Sequence, residues 1–274
     1  MIRSSGLSKL LPALVLLAAP LVVGTAQAAE TAPKLDARVA LDAYRAAVEA
    51  RLEGVRNAAR GLAATEDARS GDWERIQAPL AAMASGVGDA AAVWFALPDG
   101  RYWTVGHGLV DSSLKDRGYF PTLLTGHEVV GALVVSKSTG ARALIVASPV
   151  MVDGKVAGAI GVSIDAAKLA AELDAAIRFP PNVVFYALDA SGETALHRAS
   201  ELIFAFPSAQ GSPTLSKAVD TMLSSPEGIV RYEYVGSART AVFSRFRKAS
   251  TLCLRARASA WISDCHLACT SSGT

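Results

Sequence analysis

The segment Asp116-Arg117-Gly118-Tyr119-Phe120 brings together groups suited to holding a small polar molecule. A guanidinium gives a planar, bidentate grip on a carboxylate, and the grip strengthens where water is excluded. A tyrosine adds a ring face and a hydroxyl donor. Downstream lie two strand-forming runs, 144–152 and 155–165, joined by Asp153-Gly154. Asp-Gly between β-branched runs predicts a tight hairpin, because both turn positions need positive φ. An arginine and an aromatic facing a sheet hairpin describe a ligand pocket better than a catalytic centre. Two plainer readings stay open: Arg117 as a surface partner of Asp116, and Tyr119 as a half-buried core residue.

Catalytic patterns are weaker. Ser112-Ser113-Leu114-Lys115 has the Ser-x-x-Lys spacing of penicillin-recognising hydrolases, and Lys137-Ser138-Thr139-Gly140 is faintly similar to their later Lys-Thr-Gly element. Ser112, however, falls in a loop, and no Ser-Asp-Asn element occurs. There is no Gly-x-Ser-x-Gly elbow and no phosphate loop. His127-Glu128 lacks the second histidine that a zinc site needs. Cys265-His266-Leu267-Ala268-Cys269 has the donor types of a metal clip, but its neighbours carry no folding pattern. The chain is therefore read as a non-enzyme with no cofactor and no metal.

The elements that must position the pocket follow from periodicity. Leu41, Val48, Val55 and Leu62 recur every seven residues, and Leu52 and Ala59 fill the same stripe. This predicts an amphipathic helix over 35–64, ended by Gly61 and the charged run 66–72. Such a helix serves as a spine beside more than one sheet, or pairs with its own copy through the Leu41, Val48, Val55 stripe as a homodimer seam. A second helix is predicted over 73–83. A hairpin follows, with strands 92–97 and 102–105 around Pro98-Asp99-Gly100. A polar segment, 106–120, leads to a short helix at 121–125 and strands at 129–136 and 143–150. After the Asp-Gly hairpin, Asp165 caps a helix over 166–177.

The pattern then partly repeats. Val184-Phe185-Tyr186-Ala187-Leu188 before Ala190-Ser191-Gly192 echoes the first hairpin. A helix over 213–223 and strands at 229–234 and 240–246 complete a smaller unit. Pro180-Pro181 marks the boundary. The fold class is α+β, with two modules in series behind the spine helix. The expected division is 1–28 export signal, 29–179 spine and binding module, 180–248 second module, and 249–274 an anomalous, disordered tail. A closing apolar strand is expected after Lys248 and is not visible there, so the natural ending is read as lost.

Arg3 and Lys9 precede the uncharged run 10–23, and Ala26-Gln27-Ala28 fits a cleavage site. The run is shorter than the ~20 residues of a spanning helix. A periplasmic or secreted protein is expected, with an uncleaved N-terminal anchor as the alternative. The two signal cations aside, 25 basic residues balance 25 acidic ones. No Lys/Arg cluster points to nucleic acid.

With helix, hairpin, Asp116-Arg117-Gly118-Tyr119-Phe120, Ser138-Thr139-Gly140 and Gly154-Lys155-Val156-Ala157-Gly158-Ala159-Ile160-Gly161-Val162 in this order, the chain resembles the double Cache sensor domains of bacterial receptors over residues 35–248. The resemblance implies a spine helix carrying two PAS-like antiparallel sheets. The membrane-distal sheet of that family binds amino acids, organic acids or amines. Arg117 matches the pocket arginine and Tyr119 a pocket aromatic. Ser163 stands where amino-acid-binding members carry an aspartate for the ligand's ammonium, so a small organic acid is the expected ligand. Ser136 and Lys137 precede a turn, and alternation lets only one of them face the pocket. Trp103 and His107 are expected to flank the pocket strand. The second module is expected to be structural. No span or output module follows Lys248, so signalling is expected to need a partner such as a membrane receptor or kinase. An exported structural module without a ligand is the competing reading.

Overall fold

The computed structural model describes residues 36–180 and 183–246, together with the backbone of 266–272. The expected export signal, Cys253 and Cys265 lie outside the described residues. Asp36 opens helix α1 (Ala37–Ala63) by accepting hydrogen bonds from the backbone N–H groups of Arg38 and Val39. The 27-residue helix is about 40 Å long. It runs past Gly61, and the charged run that was expected only to end it forms a helix of its own, α2 (Glu66–Ser70). Thr65 caps α2 by accepting from Ala68 N–H, and Gly71 closes it at φ 69°. Asp72 caps α3 (Trp73–Ser85) in the same way.

The first sheet has strands β1 (Ala90–Ala96), β2 (Tyr102–Thr104), β3 (Gly108–Leu109), β4 (Val129–Val135), β5 (Arg142–Val152) and β6 (Lys155–Asp165). Helix α4 (Phe120–Leu124) lies between β3 and β4 in sequence, and α5 (Ala166–Ile177) follows β6. The order across the sheet is β3-β2-β1-β6-β5-β4, antiparallel throughout. The β5–β6 turn has φ 49° at Asp153 and 73° at Gly154. That is the two-residue turn whose twist matches the strands. Asp165 caps α5 through Ala167 and Lys168 N–H.

The second sheet contains β7 (Val183–Leu188), β8 (Thr194–His197), β9 (Glu227–Tyr234), β10 (Ser237–Arg245) and β11 (His266–Ser272), with α6 (Pro213–Ser224) between β8 and β9 in sequence. Its order is β8-β7-β11-β10-β9. Within residues 266–272 the expected disordered tail thus gives way to a strand in the middle of the sheet. Its register runs from His266, opposite both Leu188 and Arg245, to Ser272 opposite Arg239. Apolar alternation did not announce β11. The open backbone edges of β7 and β10, which need partners, explain its place. The internal echo is geometric as well. Gly100 and Gly192 sit at φ 86° and 84°, and their N–H groups donate to Leu97 and Asp189 carbonyls at 2.9 and 3.0 Å.

Helix α1 joins the modules. Its N-terminal part lies on the second sheet, where Tyr44 stacks on Phe185 with ring centroids 4.7 Å apart and Arg45 donates to Ser244 Oγ. Further along, Val48, Val55 and Ala59 share one core with Val93, Phe95, Ile160 and Val162 of the first sheet. Arg60 grips Glu128 with two bonds of 2.7 Å. Leu41, Val48 and Val55 are at most 1% exposed. The stripe considered as a homodimer seam is therefore buried within the chain's own core. Among the described residues no helix is long and apolar enough to cross a membrane.

Candidate functional site

Each sheet presents one face to α1 and one away from it. On the first sheet the outer face carries Trp94, Ala96, Tyr102, Ala132, Ile145, Ala147 and Ala159, covered by Leu114, Tyr119, Phe120 and Leu123 from the 110–124 segment. Period-two alternation along β6 puts Gly161 and Ser163 on the same face as Ala159. Gly161 is required there. A Cβ on it would lie 2.1 Å from the Trp94 ring, so the indole rests directly on the strand backbone. The Trp94 and Tyr119 rings are 6.5 Å apart. Ser163 lies one same-face step beyond Gly161, about 7 Å along the strand, opposite Ile145 and Ala92.

Three polar groups gather here. Trp94, Tyr119 and Ser163 are 2%, 9% and 4% exposed. Among the described residues, the indole N–H and both hydroxyls have no hydrogen-bond partner. Their polar atoms are not sealed from solvent, so each can take a partner from outside the chain. Arg117 is half-buried, and one Nη2 bond of 2.6 Å to the Val135 carbonyl fixes its guanidinium beside the end of β4. Burial pushes the Tyr119 phenol well above its ordinary pKa; the Arg117 charge opposes that shift, and Tyr102 and Asp116 add to it. The group is a set of donors; the charge of the Asp116 carboxylate also reaches the Tyr119 hydroxyl. Asp116 pairs with Lys137 at 2.5 Å, and Asp165 caps α5. The hydrogen bond from Lys137 holds the Asp116 carboxyl below its usual range.

The other sequence-derived candidates are placed elsewhere. Ser136 turns inward, but its hydroxyl is 3.3 Å from Ser138 Oγ and accepts from Thr139 N–H, so it builds the β4–β5 turn. Lys137 reaches across to Asp116 and the Ser113 carbonyl and clamps the covering segment. Trp103 points to the opposite face, where it stacks on Trp73 at 6.1 Å and Phe95 at 6.2 Å. Its register partner is Phe95, whereas Trp94 pairs with Thr104, and this decides which tryptophan faces the site. His107 is an exposed turn residue whose N–H donates to Thr104 Oγ1. Sequence reasoning missed Trp94. The available signal was a glycine two residues before Ser163, with a large ring in the neighbouring strand to fill its place.

The Ser112 hydroxyl lies 3.3 Å from the Tyr102 hydroxyl, and Lys115 meets Ser113 through its backbone N–H. The Ser-x-x-Lys spacing thus forms no nucleophile–base pair. Glu128 accepts from Arg60 and Ser148. Among the described residues no group of three or more His, Cys, Asp or Glu side chains is placed to hold a metal.

No protein-family model matches the sequence, and no curated protein matches it. Solved structures do. An extracellular ligand-binding receptor from Desulfohalobium retbaense aligns with TM-score 0.65 and 13% identity over 87% of this chain and 41% of that one. The chain thus spans less than half of that receptor. The ligand-binding domain of the Pseudomonas aeruginosa amino-acid chemoreceptor PctB, in complex with L-Gln, aligns with TM-score 0.67 and 16% identity, over 86% and 90% of the two chains. The extracellular domain described as that of a histidine kinase gives TM-score 0.67 and 14% identity, over 86% and 92%. At these identities the likeness is one of fold.

Proposed function

We propose that this chain, which has the fold of the Cache-type (PAS-like) extracytoplasmic sensor domains, senses a small carboxylate at the outer face of its first sheet. The observation that supports this reading is the set of three donor groups on the buried residues Trp94, Tyr119 and Ser163, without hydrogen-bond partners among the described residues, beside a guanidinium and with the nearby Asp116 carboxylate already paired to Lys137. Donors alone suit a ligand that is all acceptor, and a carboxylate supplies four lone-pair sites. An α-ammonium group would find no free carboxylate there, because Asp116 is paired with Lys137. The PctB domain binds L-Gln with the same fold, and the serine at position 163 argues that this chain takes the acid without the amine. The donor set includes no base positioned to activate a nucleophile, so binding without turnover is the reading the site supports. The signal passes to a partner of the chemoreceptor or kinase kind.

The test is a thermal-shift panel of acetate, lactate, pyruvate and succinate against glycine, glutamine and putrescine. A ligand at a hundredfold excess over its Kd stabilises by about 2.7 kcal/mol. In a domain of this size that raises Tm by about 5–10 °C. Carboxylates are expected to shift the melting point, Arg117→Ala to abolish the shift, and Ser163→Asp to transfer the response to amino acids. A response to amino acids alone in the unaltered chain would overturn the proposal.

A further inference from the structure

The outer face of the second sheet holds a cavity of about 290 Å³, at the lower end of the range for small-molecule sites. We infer that this cavity is a second ligand site, for a small carboxylate carrying an aromatic or branched apolar body. The second module is then more than structural support.

The wall is mostly ring and hydrocarbon. Tyr186 and Tyr232 line it, each less than a tenth exposed, and Leu202 and Leu215 add aliphatic surface. The Tyr186 hydroxyl meets the Tyr232 hydroxyl at 3.4 Å and the Met222 sulfur at 3.6 Å. The two tyrosines thereby present fixed ring faces to the cavity. His197 stands opposite Tyr186 in the β7–β8 pair, with ring centroids 6.2 Å apart. Its Nδ1 accepts the Ala199 N–H at 2.9 Å, so the neutral ring carries its proton on Nε2 and acts there as a donor.

The cationic group is Arg239. It is half-buried on β10, its guanidinium carbon lies 5.9 Å from the Tyr234 ring centroid, and the Tyr234 hydroxyl is tied to Gln210. Its Nε is buried with no hydrogen-bond partner. Among the described residues no carboxylate pairs with it. Arg198, at the rim, differs because it is bridged to Asp174 at 2.6 Å. Among the described residues no aspartate or glutamate lines the cavity. A guanidinium held on an aromatic face, without a protein anion, is arranged for a ligand anion. The same charge repels an amine, although the tyrosines alone would suit one. The body of the ligand must match a wall of rings and aliphatic side chains, so acetate or lactate would leave most of it empty.

This inference does not depend on the first-module reading, and the experiment separates the two. Calorimetric titration of the full chain with phenylacetate is expected to show saturable binding, and phenethylamine none. Arg239→Gln is expected to weaken phenylacetate at least tenfold. Leu215→Trp, which fills the cavity and keeps the charge, is expected to weaken it as well. Arg117→Ala, which lacks the first-module grip, is expected still to bind phenylacetate while losing the lactate response. Absence of saturable binding, equal affinity in Arg239→Gln, or loss of phenylacetate only in Arg117→Ala would each overturn the second site. Circular dichroism and the melting point of each variant identify one that fails to fold, and Arg239→Lys then serves as the milder replacement.

Discussion

The two sheets repeat one plan and differ in how they treat the face turned away from the spine. In the first module that face is tightly covered by the 110–124 segment, and the proposed site is a compact set of donors on Trp94, Tyr119 and Ser163. In the second module α6 and the segment after β8 enclose a ring-lined space instead. The guanidiniums differ as well. Arg117 is partly committed to the Val135 carbonyl, whereas the Nε of Arg239 lacks a partner altogether. In both modules the spine-side face is closed by a shared core, so the outer face is where function can vary at little cost to folding.

The largest effect tests whether that core makes the modules one cooperative unit. Phe243, 1% exposed, belongs to the outer cluster of the second module. Phe243→Ala is expected to cost about 3–5 kcal/mol and still to give a single denaturant transition, because Tyr44 and Val48 tie both sheets to α1. Two resolved transitions would show the modules to be independent.

Next comes a contrast between guanidiniums. Arg51 bridges Asp89, whose side chain is fully buried. Arg51→Ala leaves that carboxylate uncompensated and is expected to cost about 3 kcal/mol. Arg239→Gln breaks no ion pair among the described residues, removes only the contact with the Tyr234 ring, and is expected to cost no more than about 1 kcal/mol. Chemical denaturation of the two variants compares a structural arginine with a ligand-facing one.

Gly161→Ala pushes a methyl group into the Trp94 ring and is expected to cost about 1–3 kcal/mol. It should remove the carboxylate response of the first module and spare phenylacetate binding in the second. Near-UV circular dichroism would report the displaced indole.

The smallest effect is in pH. Burial pushes the Glu128 carboxyl up, but hydrogen bonds from Arg60 and Ser148 and the charges of Arg60 and Arg56 outweigh it and hold the pKa below the usual value of 4.5. A lowered folded pKa stabilises above the unfolded value and is lost as pH falls through the folded one. Glu193 in the second module goes the other way, raised by burial and then by Asp189. Its contribution is present below the unfolded pKa and lost as pH rises through the folded one. Melting points between pH 3 and 7 should therefore fall less on acidification in Glu128→Gln than in the unaltered chain. In Glu193→Gln they should be slightly higher at neutral pH.

Local signals were legible wherever one short stretch carried its own instructions. Asp153-Gly154 needed two positive φ angles and has them. The α5 helix starts at its aspartate cap, and the glycine turns after β1 and β7 repeat as the sequence suggested. Strand β8 is only four residues long and takes its place from pairing with β7. Strand β11 has no alternating apolar pattern, so only its neighbours' open edges mark it. At the candidate site, Arg117, Tyr119 and Ser163 came from the resemblance to sensor domains, and the structure places Tyr119 and Ser163 on the outer face of the first sheet, with Arg117 at the end of β4. Trp103 was expected beside the pocket strand but lies on the opposite face, because hairpin register, which the sequence left unset, decides which residues share a face.

By itself, the sequence determined most of the longer elements, the Asp153-Gly154 hairpin and the Asp165 cap, since these depend on neighbours a few residues apart. Tertiary structure alone decided which tryptophan meets Ser163, that Lys137 clamps a loop, that α1's apolar stripe is buried at home, and that Arg239 stands among tyrosines without an anion. Those outcomes depend on register and on distant segments meeting across a sheet, where the free energy of burial sums over residues that no short stretch of chain contains.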